Sequence, residues 1–424
     1  MKTASVINSD NISGLVQRTL NHVDVRLTDH GKRVAYLAGR MLEADGSFSV
    51  KEKQDICLLA LLHDIGAYKT EEINEMTRFE SRDIWEHSIF GYLFLYHLSP
   101  LKDWAQTILF HHVSASTLDG VDERIAMASQ IINLADRVDI FWLNYPVQSA
   151  LDKYLSQKRD DRFRGSVVDL FYKALEKYPV MEEWKDAQAF QKVVQHMDLT
   201  VEQCEAYLNM LIFAIDFRSR HTVTHTITTT SIATSLARFM QMTDKQIHDI
   251  HYGALLHDLG KIGIPVEILE FPGKLSPQAM KIMRTHVDIT EEILGGTIDP
   301  VITNIALRHH EKLDGSGYPK GLCGDAITLE EQVVGVSDIV SALLGTRSYK
   351  EAYSKEKTLS ILREQAGNGK ISPELVGVLE KHFDEILSEL NVKCAPILET
   401  YYGLTAEYDR LLEKYHNQKT FMPA

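Results

Sequence analysis

Cysteine is scarce and scattered in this sequence: Cys57, Cys204, Cys323 and Cys394 are the only four in 424 residues. None forms a CxxC pair, which excludes a zinc ribbon and a disulfide framework. Long apolar runs are missing too. The stretch Leu58-Leu59-Ala60-Leu61-Leu62 is far too short to span a bilayer. Residues 1–10 hold no apolar stretch ahead of a small-residue cleavage site, so no signal peptide is expected. A reducing cytoplasm is the expected location. An excess of basic charge is also lacking: 45 Lys and Arg stand against 59 Asp and Glu, a formal net charge of −14. That argues against a broad surface tracking the phosphates of long DNA or RNA. A small anionic ligand stays open, because a local cluster of metals and basic groups dominates its own pocket.

Alternating, β-branched strand patterns are scarce, and helical periodicity takes their place. Apolar residues recur three or four apart in Leu27, Val34, Leu37 and Met41, and again in Ile232, Leu236 and Met240. Residues 201–217 and 405–415 read as further helices. Glycine and proline cluster at residues 271–273 and 314–321. The fold class expected is all-α.

The sequence also repeats itself. Two doublets, His111-His112 and His309-His310, each lie downstream of a Leu-Leu-His-Asp-x-Gly segment, starting at Leu61 and at Leu255. The first half offers His30, His63, Asp64, His87, His111, His112 and Asp136, with gaps of 33, 1, 23, 24, 1 and 24. The second offers His225, His257, Asp258, His286, His309, His310 and Asp338, with gaps of 32, 1, 28, 23, 1 and 28. The order is the same, so a helical domain is duplicated in tandem. The expected division is a first domain over 1–200, a second over 201–392, and a helical tail over 393–424.

Imidazole and carboxylate together suit transition metals. Helical faces bring these groups inward: His30 lies with Leu27, Val34 and Leu37, His225 with Thr229, Ile232 and Leu236, His309 with Ile302 and Ile305, and Asp338 with Val334 and Ala342. An unpaired polar group there is costly, and coordination offsets the cost. A single histidine on an apolar face is ordinarily a hydrogen-bonded core residue. Seven candidate ligands recurring in order, twice, point to metal instead. His248-Asp249 is an internal control. It precedes His257 by nine steps of about 100°, on the opposite side of that helix. With His251 it reads as surface or supporting.

These residues resemble the HD superfamily of metal-dependent phosphohydrolases. The second half resembles the HD-GYP subfamily specifically. His257-Asp258-Leu259-Gly260-Lys261-Ile262-Gly263-Ile264-Pro265 is similar to its HDxGKIGIP signature. The stretch from His309 through Asp314, Gly315, Gly317, Tyr318 and Pro319 is similar to HHExxDGxGYP. Asp338 followed by Arg347, Tyr349 and Lys350 resembles DxxxALxxxRxYK. The resemblance covers residues 216–390.

It implies an all-helical hydrolase holding two or three iron or manganese ions and opening cyclic di-GMP, or 3′,3′-cyclic GMP-AMP in tandem arrangements. Two ions are expected here, since a Glu that accompanies a third metal is replaced by His221. On this reading Asp258 bridges the ions, His225, His257 and Asp338 complete one, and His286, His309 and His310 the other. Water activated by the pair attacks phosphorus. Lys261 stabilises the nucleophile or the phosphate charge, and Arg347 and Lys350 clamp phosphate. The turn carrying Tyr318 lines the pocket or contacts a GGDEF-domain partner, and a homodimer is expected. The first half keeps seven candidate ligands, a second metal site in prospect. It has Ala67 where Lys261 stands, no GYP turn, and Tyr145 and Gln148 in place of the clamp. A regulatory role is expected for it. Two other readings stand beside the enzyme: a non-catalytic nucleotide receptor, and a nucleotide phosphohydrolase active in the first half.

Overall fold

The structure is a computed structural model describing residues 6–22, 28–69, 85–186, 199–217, 224–271, 273–345 and 353–417. Among them there are helices, short 3-10 segments and turns, with no strand beyond two isolated bridges. The all-α expectation holds.

Two compact units divide the chain: Ile12–Met210 with Leu404–Ala424, and Leu211–Gly403 with Met1–Asn11. The expected boundary at residue 201 falls at the start of a continuous helix, Val201–Phe217, and the units divide inside that helix. The tail expected from residue 393 is not a separate body. It belongs to one helix, Phe383–Asn417, that contributes to both units. Apolar residues recur along it on both sides of Pro396. Phe383, Ile386 and Leu390 bury in one unit, and Leu404, Leu411 and Tyr415 in the other. There Tyr408 stacks on Phe90 at 3.9 Å and Tyr415 on Trp85 at 4.9 Å.

The duplication is visible in the packing of each unit. In one, the helix His30–Asp45 lies against Val50–Leu61 and Glu123–Asn144, and the 3-10 turn Ile65–Lys69 lies against Glu86–Leu98. In the other, His225–Phe239 lies against Asp244–Leu256 and Leu329–Leu344, and the turn Leu259–Gly263 against His286–Leu294. The His225 helix is rich in threonine, a weak helix former. Thr226, Thr228, Thr229 and Thr230 are buried, and Thr230 Oγ1 donates back to the Thr226 carbonyl, so packing holds this helix.

One close approach is repeated to within the precision of the backbone. A Cβ on Gly66 would lie 1.9 Å from the His87 carbonyl oxygen, and one on Gly260 would lie 1.9 Å from the His286 carbonyl oxygen. The glycine after each His-Asp pair therefore lets the turn carrying that pair dock directly on the helix carrying the next histidine. Gly260 N also donates to Thr290 Oγ1 at 2.9 Å. Gly260→Ala should lower stability by about 3 kcal/mol or prevent folding of its unit. The exposed helical Gly377, with nothing within 4 Å of its Cβ position, should gain about 0.5–1 kcal/mol on change to Ala. Thermal unfolding of both variants checks the contrast, and equal effects would contradict it.

Candidate metal centre

Five elements of the second unit supply the site. His225 opens the helix His225–Phe239, His257 and Asp258 end the helix Asp244–Leu256, and His286 opens His286–Leu294. His309 and His310 follow Pro300–Leu307, and Asp338 lies inside Leu329–Leu344. Capping boxes set two of these helices, at Thr243 with Gln246 and at Thr328 with Glu331. Asp216, buried, accepts from Thr226 Oγ1 at 3.0 Å and so anchors the start of the His225 helix.

The histidines are oriented by their rear nitrogens. Nδ1–H of His257, His286 and His309 donates to the carbonyl three residues back, Ala254 at 2.6 Å, Met283 at 2.7 Å and Ala306 at 2.6 Å. Nδ1 of His225 pairs with Ser341 Oγ at 2.9 Å. The front nitrogens then point inward as acceptors. Nε2 of His257, His286 and His309 is buried with no hydrogen-bond partner. His257 Nε2 lies 3.0 Å from Asp258 Oδ2 without the alignment of a hydrogen bond. Ligand atoms of nitrogen and oxygen thus face a common point, an arrangement that a single divalent cation satisfies together and a proton satisfies for one pair at most.

Two groups of ligand atoms result, each within 4.8 Å of one another: His225, His257 and Asp258, and His286, His309 and His310. Asp258 reaches both. Its Oδ2 is 3.2 Å from His225 Nε2, and its Oδ1 is 3.7 Å from His286 Nε2. Asp338 also reaches both, 3.1 Å from His225 Nε2 and 3.6 Å from His310 Nδ1. Lys261 Nζ donates to Asp258 Oδ2. Burial opposes the Asp258 charge, but His257 and Lys261 outweigh it and hold the carboxyl well below its usual range. Burial likewise opposes a charge on His257, but Asp258 and Asp338 outweigh it and push the imidazole up to about 10. Burial wins at His310, which falls to about 3, and at His309.

The turn after the doublet closes one side. Glu311, buried, accepts from the backbone N–H of Lys320 at 2.7 Å and of Leu322 at 2.9 Å. That holds the segment 314–322 over the doublet, with a cis bond between Tyr318 and Pro319. The Tyr318 ring packs 4.6 Å from the His310 ring, and Arg284 lies over its other neighbourhood, 4.7 Å from the ring centroid. Arg347 and Lys350, read as a phosphate clamp, and His221 lie outside the described residues.

The first unit brings its seven candidates together in the same way. Asp64, His87, His111 and His112 form one group, and His30, His63 and Asp136 another. Nδ1–H of His63 and His111 donates to Ala60 O and Ile108 O. Its charges differ. The sequence comparison finds no cation there to match Lys261, yet the structure places one. Arg137 is buried and grips Asp136 Oδ2 through Nε at 2.9 Å and Nη2 at 2.6 Å. It sits beside its carboxylate in sequence instead of one turn beyond it, and only an arginine inside an apolar helical run signals it. Behind His30, Asp139 takes the place of Ser341, accepting from His30 Nδ1 at 2.7 Å and from Arg33 and Trp184. Burial opposes a charge on His30, but Asp136 and Asp139 push it up to about 10. The first site is also more closed: the side chains of His112 and Asp136 are 8% and 1% exposed, against 24% and 12% for His310 and Asp338.

The control pair joins neither ligand group, as its helix position implies, but Asp249 is not on the surface. Asp249 is buried, held by Lys245 Nζ at 2.6 Å and beside His248. A lysine one turn back neutralises it, so the helix face alone misjudges its exposure.

Residues 209–375 and 27–140 each match the HD domain family. The 3′3′-cGAMP-specific phosphodiesterase 1 of Vibrio cholerae is 26% identical over 87% of this chain and 90% of that protein. The cyclic di-GMP phosphodiesterase response regulator RpfG of Xanthomonas campestris is 38% identical over 42% of this chain, which spans 48% of that protein. The crystal structure of a cyclic GMP-AMP specific phosphodiesterase of V. cholerae, V-cGAP3, shares the fold at TM-score 0.56 and 21% identity, covering 90% of this chain and 97% of that one.

Imidazole and carboxylate ligands bind a metal only in their deprotonated forms, which sets a pH dependence. The neighbouring Asp258 and Asp338 raise the proton affinity of His257, so a divalent ion competes with protons there and its affinity rises with pH. Calorimetric titration with Mn²⁺ should show proton release and tighter binding at pH 8 than at pH 6. Affinity independent of pH would contradict this. Duplicated in sequence, in packing and in its ligand groups, the chain belongs to the HD-domain family, with two HD domains in tandem.

Proposed function

We propose that the chain is a metal-dependent phosphodiesterase that opens a cyclic dinucleotide, cyclic di-GMP or 3′,3′-cyclic GMP-AMP, to a linear dinucleotide in its second HD domain. The observation that carries this is the convergence of two inward-facing ligand groups on Asp258 with Lys261 beside it. The names and extents of the relatives support the substrate class. His225, His257, Asp258 and Asp338 would hold one ion, and His286, His309, His310 and Asp258 the other, with iron or manganese suited to this ligand set. Such a pair supplies Lewis-acid chemistry, activating water at neutral pH and neutralising phosphate.

The residues of the chain do the rest. The carbonyl-locked imidazoles keep their front nitrogens aimed without reorganisation. Lys261, set by Asp258, places a cation where charge develops on phosphate oxygens. Glu311 holds the turn that presents Tyr318 beside His310. Arg347 and Lys350 enter this proposal as further phosphate contacts, supported by motif alone. A homodimer and a GGDEF-domain partner also enter it from the family resemblance. The more closed first domain, with Arg137 on its carboxylate, is read as regulatory and able to take metal. No helix among the described residues is long and apolar enough to cross a membrane.

Protein loaded with Mn²⁺ or Fe²⁺ should convert one or both cyclic dinucleotides to linear product, resolved by mass spectrometry. Asp258→Ala should abolish turnover, and Lys261→Ala should lower kcat by about 10²–10³. No linear product with either metal would favour a receptor. Turnover that survives Asp258→Ala and is lost in Asp64→Ala would move the chemistry to the first domain.

A further inference from the structure

A cyclic dinucleotide carries two phosphates, and a metal pair with Lys261 can serve only the one being cleaved. The other needs its own counter-charge, in a chain whose net charge is −14. Among the described cations near the ligand set, two are already committed, and Lys312 is largely buried beside Asp338. Lys261 is paired with Asp258, and Arg308 with Glu331 at 2.9 Å. Arg284 is different. It is exposed, two residues before His286, at the end of the helix Pro277–Arg284. It makes no ion pair among the described residues, and its guanidinium lies over the Tyr318 ring.

That stack fixes where the guanidinium can be. Tyr318 is half-buried and set against His310 at 4.6 Å. It is held from behind by the hydrogen bonds of Glu311 to its turn and by its own N–H to the His310 carbonyl at 3.3 Å. Arg284 therefore sits one aromatic ring away from a candidate metal ligand, on the solvent side. A guanidinium held over a ring keeps N–H donors at its edge available, the fork that matches phosphate oxygens. A cation stacked on an aromatic ring is also held in place at low entropic cost.

Resting on the phosphodiesterase reading, we infer that Arg284 grips the phosphate that is not being cleaved, with Tyr318 as its platform, and so selects a two-phosphate cyclic substrate over a simple diester. The contact is to phosphate and not to a base edge, because the stack lies beside the ligand set where the sugar–phosphate ring must come. Arg284 bears on substrate selection, while bond cleavage stays with the groups around Asp258.

The test compares Mn²⁺-loaded wild type, Arg284→Ala and Arg284→Lys on cyclic di-GMP, cyclic di-AMP and the one-phosphate diester bis(p-nitrophenyl) phosphate. The preference in kcat/KM for a cyclic dinucleotide over the small diester should fall about 10- to 100-fold in Arg284→Ala, mainly through KM. Arg284→Lys should restore part of it. Equilibrium binding of a cleavage-resistant phosphorothioate analogue should weaken in parallel. An unchanged preference, whether both activities persist or both fall together, overturns the inference. So does a loss confined to the guanine-bearing substrate, which would assign Arg284 to the base. A wild type that cleaves the small diester and no cyclic dinucleotide contradicts the proposed function itself, whereas a normal wild type with an indifferent Arg284→Ala contradicts only the role of Arg284.

Discussion

A buried imidazole nitrogen without a hydrogen-bond partner is expensive, and this chain buries such nitrogens in both of its units. In the second they are Nε2 of His257, His286 and His309, in the first Nε2 of His63 and His111. Each imidazole is locked from behind by the carbonyl three residues back, so turning away would only exchange one unmet group for another. The cost is met where these nitrogens and the Asp oxygens share a cation. Much of the architecture serves that meeting. Helix ends deliver the histidines, a glycine lets the His-Asp turn touch the next ligand helix, and capping boxes fix the helices that carry the remaining ligands.

The two domains show how one frame is tuned in opposite directions. In the second, the added cation is Lys261, reaching Asp258 from one turn beyond, and His310 keeps part of its side chain exposed beside Tyr318. In the first, the added cation is Arg137, fully buried and spent on Asp136, with Ala67 in place of the lysine. The rear partner of the first histidine also changes, from the neutral Ser341 to the charged Asp139. A carboxylate behind an imidazole raises its basicity and its hold on a metal. The first site is also the more enclosed at its doublet and second carboxylate, and the second is the more exposed there.

How much of this was legible in the sequence follows from the range of the interactions. The ligand order was legible because it recurs, and recurrence needs no knowledge of contacts. All fourteen candidates lie in the two clusters or against them. The all-helical fold was legible from periodicity. The limits of the units were not, because the helices Val201–Phe217 and Phe383–Asn417 run through them and apolar residues recur along both. Arg137 was not legible, because it does not align with Lys261 and pairs instead with Asp136, its neighbour in sequence. The burial of Asp249 was not legible either, because Lys245 one turn back compensates its charge. Arg284 carries no motif. Only the folding of residues 311–322 back over the doublet brings Tyr318 beneath its guanidinium.

The central claim is that two ions share Asp258 in the second domain. The most direct test is a diffraction experiment on crystals of Mn²⁺-loaded protein, with an anomalous difference map at the manganese edge. The account predicts two peaks in the second domain, one bounded by His225, His257 and Asp258, the other by His286, His309 and His310, with Asp258 touching both. Peaks in the first domain alone, or none within reach of Asp258, would contradict it.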